Sequence, residues 1–246
     1  MSEPAPGTAW QQPELVGEFL AQRHRVLPLL DLQEALIASA FERHEHPIER
    51  FLDIGSGDGA MSELLLGVEP NAEAVLVDYS EPMLRGAERR LARAHSPWRI
   101  VQGDLRDPSW RASLPDGPYD AAVSAFAIHH LPSARKRELF AELFELLAPG
   151  AMFVNMDCVV IDGPLRGLLD EQMAANAIAV EHEHGGRRSD AEVERELLVD
   201  DSDDRPDSAA DQLRWLGEAG FQSAELNFKW AEAAIFGALK PQGGDD

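Results

Sequence analysis

Three glycines in five residues, Gly55, Gly57 and Gly59 in the stretch FLDIGSGDGAMSELLL, stand between a short apolar run and a helix-like one. Glycine reaches positive φ without steric cost and lets another group approach backbone N–H groups that a Cβ would shield. One glycine here would read as a tight strand-to-helix turn. Three at alternate positions ask for a ligand held against the backbone, where a parallel sheet exposes its carboxyl edge. The spacing narrows the ligand. A dinucleotide fingerprint wants its third glycine three residues after the second, whereas Gly59 comes two after Gly57, which argues against a nicotinamide cofactor.

The surroundings of this turn set the fold class. Short apolar runs occur at Arg50 to Ile54, Ala74 to Val77, Trp98 to Val101, Asp120 to Ile128 and Ala151 to Val160. Helix-like segments separate them at Met61 to Leu66, Pro82 to Ala94 and Ala134 to Leu147. Strands alternating with helices require crossover connections, so the chain is expected to be α/β with a parallel sheet covered on both faces. Ahead of the sheet, residues 14–43 carry apolar positions at helical spacing, with Pro28 dividing two helices.

Two acidic residues extend the ligand reading. Asp78 closes the second run, AVLVDYS, where a carboxylate can accept from both hydroxyls of a ribose. Its competing role, capping the helix that begins near Pro82, is better filled by Ser80. Asp104, in RIVQGDLRD, follows the third strand and could accept from an exocyclic amine while the Leu105 N–H donates to a ring nitrogen. Glycine loop, ribose carboxylate and amine acceptor on consecutive strand ends describe an adenosine pocket.

With these motifs, LDIGSGDG, VDYSEPML, GDL and YDAAVSAFAIHHL, followed by LFELLAPGAMFV and LGEAGFQSAEL, the chain resembles a class I S-adenosylmethionine (SAM) dependent methyltransferase over residues 50–240. The resemblance implies a three-layer, Rossmann-like sheet of seven strands with the last antiparallel, closed by the hairpin GFQSAELNFKW and EAAIFGALK. It implies SAM as cofactor and S-adenosylhomocysteine (SAH) as product. Asp53, Gly55, Ser56, Gly57 and Gly59 would lie around the methionine part, and Asp78 would hold the ribose. Tyr79 and Met83 would flank the adenine, Asp104 and Leu105 would read its edge, and Ala125 would border the sulfonium.

Methyl transfer from a sulfonium mainly needs in-line approach, so a general base is required only for a protonated acceptor. His130 and His129, in AIHHLP, lie just past the fourth strand, where a neutral imidazole has a suitable pKa. His130 is the preferred substrate-side contact. The alternative is that both pack the loop and bond its backbone. Alternation along a strand turns Asn155 and Asp157 the same way, toward the histidines if that way is the cleft. Other histidines suggest no metal site, because His44 and His46, like His182 and His184, are two apart and point to different helix faces. Cys158 is the single cysteine, so neither an internal disulfide nor a thiolate cluster can form, and its apolar run suggests a small buried thiol.

Substrate scope follows from charge and added segments. With 44 acidic against 22 basic residues the net charge is -22, which repels phosphate backbones and anionic lipid. Nucleic acid is disfavoured, no apolar run spans a bilayer, and a cytoplasmic location is expected. The expected organisation is an N-terminal helical extension over the active site, residues 1–48, then a methyltransferase domain, residues 49–240, with a lid insertion at about 161–206. In that lid Leu165, Leu168, Leu169, Met173 and Ile178 form one stripe, with Met173 expected at the acceptor pocket. The run VDDSDDRPD reads as a charged loop before a helix capped by Ser208, with no chemistry of its own. Arg23, beside His24 and Arg25, is the nominee for the cofactor carboxylate. The favoured reading is methyl transfer to a small-molecule acceptor. Two alternatives stay open: a tRNA-modification enzyme binding or making a carboxylated SAM, and a catalytically silent SAM-binding protein. A homodimer is compatible with the sequence and not required by it.

Overall fold

Continuous apolar runs become strands buried on both faces. In β1 (Arg50–Ile54), Phe51 belongs to the core on one side of the sheet and Leu52 and Ile54 to the core on the other, all fully buried. Each such side chain contributes about 1.5–3 kcal/mol on burial, enough to fix the register that brings Asp53 and Gly55 to the carboxyl edge. The computed structural model describes residues 9–161, 163–183, 185–197 and 204–243.

The other strands are β2 (Glu73–Asp78), β3 (Trp98–Gln102), β4 (Tyr119–Ala125), β5 (Leu147–Cys158), β6 (Gln222–Trp230) and β7 (Ala233–Leu239). They form one seven-stranded sheet in the order β3-β2-β1-β4-β5-β7-β6, with β7 antiparallel to both neighbours, as the closing hairpin predicts. The order reverses between β1 and β4, which opens a crevice at their carboxyl ends. Helices α2 (Leu30–Glu42), α3 (Ala60–Val68) and α4 (Glu81–Leu91) cover one face, and α5 (Ser133–Leu146) with α8 (Ala209–Ala219) covers the other. Helices α1 (Pro13–Val26), α6 (Arg166–Glu183) and α7 (Asp190–Leu197) are added outside this frame, α6 packing against both α1 and α7.

Pro28 falls between α1 and α2, and Ser80 and Ser208 cap α4 and α8 by accepting from the N–H groups of Met83 and Asp211. Several boundaries differ from expectation, two of them at the site or the sheet edge. β4 stops at Ala125 rather than Ile128, because Phe126 takes a left-handed φ of 51° and residues 128–130 wind into a short 3-10 helix. β5 begins at Leu147, where it pairs with Tyr119 ahead of a register shift. Among the described residues no helix is long and apolar enough to cross a membrane.

Candidate functional site

A cavity of about 470 Å³ opens at the β1/β4 crevice, within the range usual for small-molecule sites. Its wall includes Asp53, Gly55, Ser56, Gly57, Asp78, Tyr79, Met83, Asp104, Leu105, Ala125, His129, His130 and Arg23, drawn from four strand ends and the turns after them, from α4 and from α1. Trp10, Phe19, Leu20 and Leu27 add an apolar side from the N-terminal segment. That segment is anchored locally: the Ser80 hydroxyl donates to the Trp10 carbonyl, the Gln11 amide to the Tyr79 carbonyl at 2.9 Å, and the Trp10 and Phe19 rings meet edge-on at 5.1 Å.

On the cavity wall stands Asp78. Its Oδ2 accepts from Gly57 N–H at 2.9 Å and its Oδ1 from Ser80 N–H at 2.8 Å. A carboxylate has about four lone-pair positions, so accepting capacity remains for a ribose hydroxyl. Burial pushes the Asp78 carboxyl up, against the pull of the N–H donors of Ser80, Gly57 and Tyr79. Beside it, Asp104 is clamped by its neighbour Arg106, whose Nη2 lies 2.7 Å from Oδ2, and that guanidinium sits 5.0 Å from the centre of the Tyr79 ring. The Arg106–Asp104 pair and Tyr79 therefore act as one wall.

The glycine loop divides its labour. A Cβ on Gly55 would come within 2.1 Å of the Ala127 Cβ, and one on Gly59 within 3.1 Å of the Ala87 Cβ and 3.2 Å of Leu76 Cδ2. Gly57 would meet only Met83 Sδ, at 3.8 Å. Two of the three glycines are thus required by the chain's own packing, and Gly59 stands behind the cavity rather than on its wall. Only Gly57 leaves its side-chain space open.

Asp53 lies fully buried under the loop, its Oδ2 accepting from the Ser62 hydroxyl at 2.6 Å while Oδ1, like Ser56 Oγ, has no partner. Burial outweighs the Ser62 bond and raises Asp53 to about 7. It is neutral below that pH and ionised above it, so a cationic ligand is expected to bind more tightly as pH rises through about 7. The gain is up to about tenfold for each pH unit by which the bound cation lowers the carboxyl's pKa. Calorimetry at about pH 6 and 8 on Asp53→Asn checks this: the variant should lose that part of the dependence.

Elsewhere at the cavity four ionisable groups meet. His129 Nδ1 lies 2.5 Å from Asp157 Oδ1, and its Nε2 lies 3.3 Å from Asp204 Oδ1. His130 Nδ1 lies 3.0 Å from that same oxygen. Burial alone would lower His129, but the Asp157 and Asp204 carboxylates outweigh it and raise the imidazole to about 10. Burial would raise Asp204, but the two imidazoles hold its carboxyl well below the usual range. Asn155 Nδ2 reaches Asp157 Oδ2 at 3.3 Å, so the two strand residues do turn the same way, with Asp157 standing behind His129 and neither on the cavity wall. Cys158, half-buried on the same wall, has its thiol raised well above normal by burial.

Several expectations change. The run assigned no chemistry supplies Asp204 and Arg205 to the cavity. The segment is held there by Arg205 N–H donating to the His129 carbonyl at 3.0 Å and by the fully buried Lys136, whose ammonium donates to the Arg205 carbonyl and, at 2.7 Å, to Asp207. Met173 and the rest of the α6 stripe do not reach the wall, because α1 occupies that side of the crevice and α6 packs against α1 instead. Arg23 reaches the cavity already paired, 3.3 Å from Asp58 and 3.6 Å from Glu34, while the side chains of His24 and Arg25 lie outside the described residues. His46 bonds Gln242 rather than a carboxylate, and His182 lies 2.9 Å from Asp190 at the surface. His184 lies outside the described residues.

Residues 51–150 match the family model described as a methyltransferase domain. That segment of the chain is a methyltransferase domain. Among curated proteins it is 30% identical over 109 residues to a demethylmenaquinone methyltransferase of Thermus thermophilus, a match spanning 44% of this chain and 47% of that protein. It is 26% identical over 193 residues to a carboxy-S-adenosyl-L-methionine synthase of Wolinella succinogenes, spanning 76% of this chain and 75% of that one. The chain spans about half the length of the first curated relatives it matches. Human N-acetylserotonin methyltransferase in complex with SAM shares the fold, with a TM-score of 0.64, 14% identity and coverage of 98% of this chain and 61% of that one. The methyltransferase cofactor fits the residues present: Asp78 has lone pairs left for a ribose, Gly57 leaves the backbone bare, and the unpartnered Asp53 Oδ1 and Ser56 Oγ offer polar contacts to a charged methionine tail.

Proposed function

We propose that this chain transfers the methyl group of SAM to a small-molecule acceptor that carries a proton on its reacting atom, a hydroxyl or a carbon acid. The observation that carries this reading is one continuous cavity whose wall holds both the ribose-type carboxylate Asp78 and the His129–His130–Asp204 cluster. SAM, when bound, supplies an electrophilic methyl on a positive sulfur. The chain's own work is to bind, orient and exclude water. Asp78 holds the ribose, Gly57 admits the tail, and Trp10, Phe19 and Leu27 keep solvent from the reacting pair. Orientation of this kind contributes about 7–11 kcal/mol to such a displacement. His129, held as a cation between two carboxylates, is a poor base at neutral pH, which leaves His130 to receive the acceptor's proton. The acidic composition agrees with a small acceptor rather than a polynucleotide.

The test is calorimetry with SAM, SAH and NAD. Binding of both SAM species and not of NAD is expected, and NAD binding alone would overturn the reading. Asp78→Ala should weaken SAH by about ten- to a hundredfold, because a charge-assisted hydrogen bond contributes about 1.5–3 kcal/mol. An unchanged dissociation constant would move the ribose contact elsewhere.

A second reading, a carboxylated SAM as the ligand, has one observation in its favour. Arg205 lines the cavity and makes no ion pair among the described residues, whereas Arg23, the nominee from the sequence, is engaged by Asp58 and Glu34. Mass spectrometry of the copurifying ligand separates the two readings.

A further inference from the structure

We propose that His129, His130 and Asp204 form a binding site for one divalent first-row transition-metal ion, open on its remaining side to the cavity. Nδ1 of His130 and Nε2 of His129 both converge on Asp204 Oδ1, at 3.0 and 3.3 Å, and the three groups can present donor atoms all within 4.8 Å of one another. Ions of this class hold nitrogen and oxygen ligands at about 2.0–2.2 Å, which separates adjacent donors by about 3 Å. The spacing is therefore that of ligands around a shared centre.

Direction supports the same reading. Although 3.0 Å apart, His130 Nδ1 and Asp204 Oδ1 form no hydrogen bond of normal direction, and both atoms are buried. Buried polar atoms without a bonded partner are costly and ask for an explanation. An ion between them supplies one for both atoms. The outer arrangement is also that of a metal centre. His129 turns Nδ1 to Asp157 Oδ1 at 2.5 Å, which keeps the proton on Nδ1, so that loss of the Nε2 proton on metal binding would turn a lone pair inward, and Asp157 is itself held by Asn155 Nδ2 at 3.3 Å and by the Cys158 N–H at 3.0 Å. A carboxylate behind a ligating imidazole orients it and raises its basicity. Two imidazoles and one carboxylate suit zinc, manganese, iron or cobalt better than magnesium or calcium, which prefer all-oxygen sets. Three protein ligands leave positions for an acceptor oxygen, and such an ion lowers the pKa of an oxygen bound to it. This goes beyond the proposed methyl transfer, which stands with or without the ion, although with the ion bound His130 is a ligand and the lowered pKa of the bound acceptor oxygen takes the place of its role as proton acceptor.

The experiment is titration of chelator-treated, full-length protein with Co2+, followed by visible absorption and calorimetry, and repeated with Zn2+ and Mg2+. One equivalent of Co2+ with ligand-field bands is expected, displaced by Zn2+ and not by Mg2+. Asp204→Ala and His130→Ala should each weaken Co2+ by at least about a hundredfold, and Asp157→Asn by about ten- to a hundredfold. His182→Ala, at the distant surface pair, should bind as the wild type does. SAH affinity is measured on every variant, so loss of metal with SAH retained supports the site. If Asp204→Ala loses both ligands, His130→Ala and Asp157→Asn decide. Absence of stoichiometric Co2+ binding to wild-type protein that binds SAH overturns the metal site and leaves the methyltransferase reading intact, as does undiminished binding in Asp204→Ala. Failure of SAH binding with Co2+ binding intact does the reverse.

Discussion

Gly55→Ala is expected to destabilise the protein by about 2–5 kcal/mol and to weaken SAH binding by more than tenfold, whereas Gly57→Ala should cost about 1–2 kcal/mol in stability. Gly55 has a φ of +65°, a left-handed conformation that an L-residue enters at a cost of roughly 1–2 kcal/mol. Gly57, at +53°, carries the same backbone cost, so the difference between them is steric. The new methyl on Gly55 would lie 2.1 Å from the Ala127 Cβ, an atom joined directly to backbone and unable to swing away. Relief requires the turn after β4 to move, at an overpacking cost of roughly 1–3 kcal/mol, and that turn leads into His129 and His130. At Gly57 the nearest atom is the Met83 sulfur at 3.8 Å, the flexible end of a side chain, so the folded state accepts the methyl and the cofactor side receives it. Denaturant unfolding and calorimetry on the two variants check the contrast. Equal stability losses would show that the loop, and not the Ala127 contact, sets the cost.

That contrast also marks how far the sequence could be read. Three glycines between a strand and a helix announced the turn, because no other residue takes those dihedrals cheaply, but whether the missing side chains made room for a ligand or for the chain itself was hidden. Ala127 and Ala87, the residues that exclude a Cβ at Gly55 and Gly59, are far away in sequence and carry no signal of their own. Asp78 and Asp104 were legible because parallel strands deliver their carboxyl ends to one edge, so position after a strand is already position in space. Asn155 and Asp157 followed from alternation along β5. Asp204 was not legible. It lies in a polar run that reads as solvated loop, and its approach to the histidines depends on the buried Lys136 clasping the Arg205 carbonyl and Asp207 across a separation of about seventy residues. A lysine on an amphipathic helix gives no warning that it is buried. The α6 stripe misled for the complementary reason: Leu165 and Leu168 are spaced for packing yet remain mostly exposed, because α1 had taken the crevice.

His130→Ala is expected to lower turnover by about a hundred- to ten-thousandfold, the usual contribution of a positioned proton acceptor, while SAH affinity stays within about threefold of wild type. The split follows from geometry. His130 stands with its Nδ1 3.0 Å from Asp204 Oδ1 and its ring 6.1 Å from the centre of Trp10, whereas the proposed ribose and tail contacts are those of Asp78 and Gly57, to which His130 makes no hydrogen bond among the described residues. Removing it takes away a group that acts after the cofactor is seated, so kcat should fall with little change in cofactor binding. Turnover is followed as SAH release with the small-molecule extract that supports the wild-type reaction, and binding by calorimetry with SAH. His130→Gln guards against a packing effect, since it keeps a side chain against Trp10 but no imidazole. If the proton-handling role holds, His130→Gln stays as slow as His130→Ala, and if the ring only fills the wall beside Trp10, His130→Gln recovers most of the rate. Parallel losses of SAH affinity and turnover in both variants would make His130 part of the pocket wall and remove it from the chemistry. A near wild-type rate in both would mean that the acceptor delivers an unprotonated nitrogen or sulfur to the methyl group, and the acceptor class proposed here would be wrong.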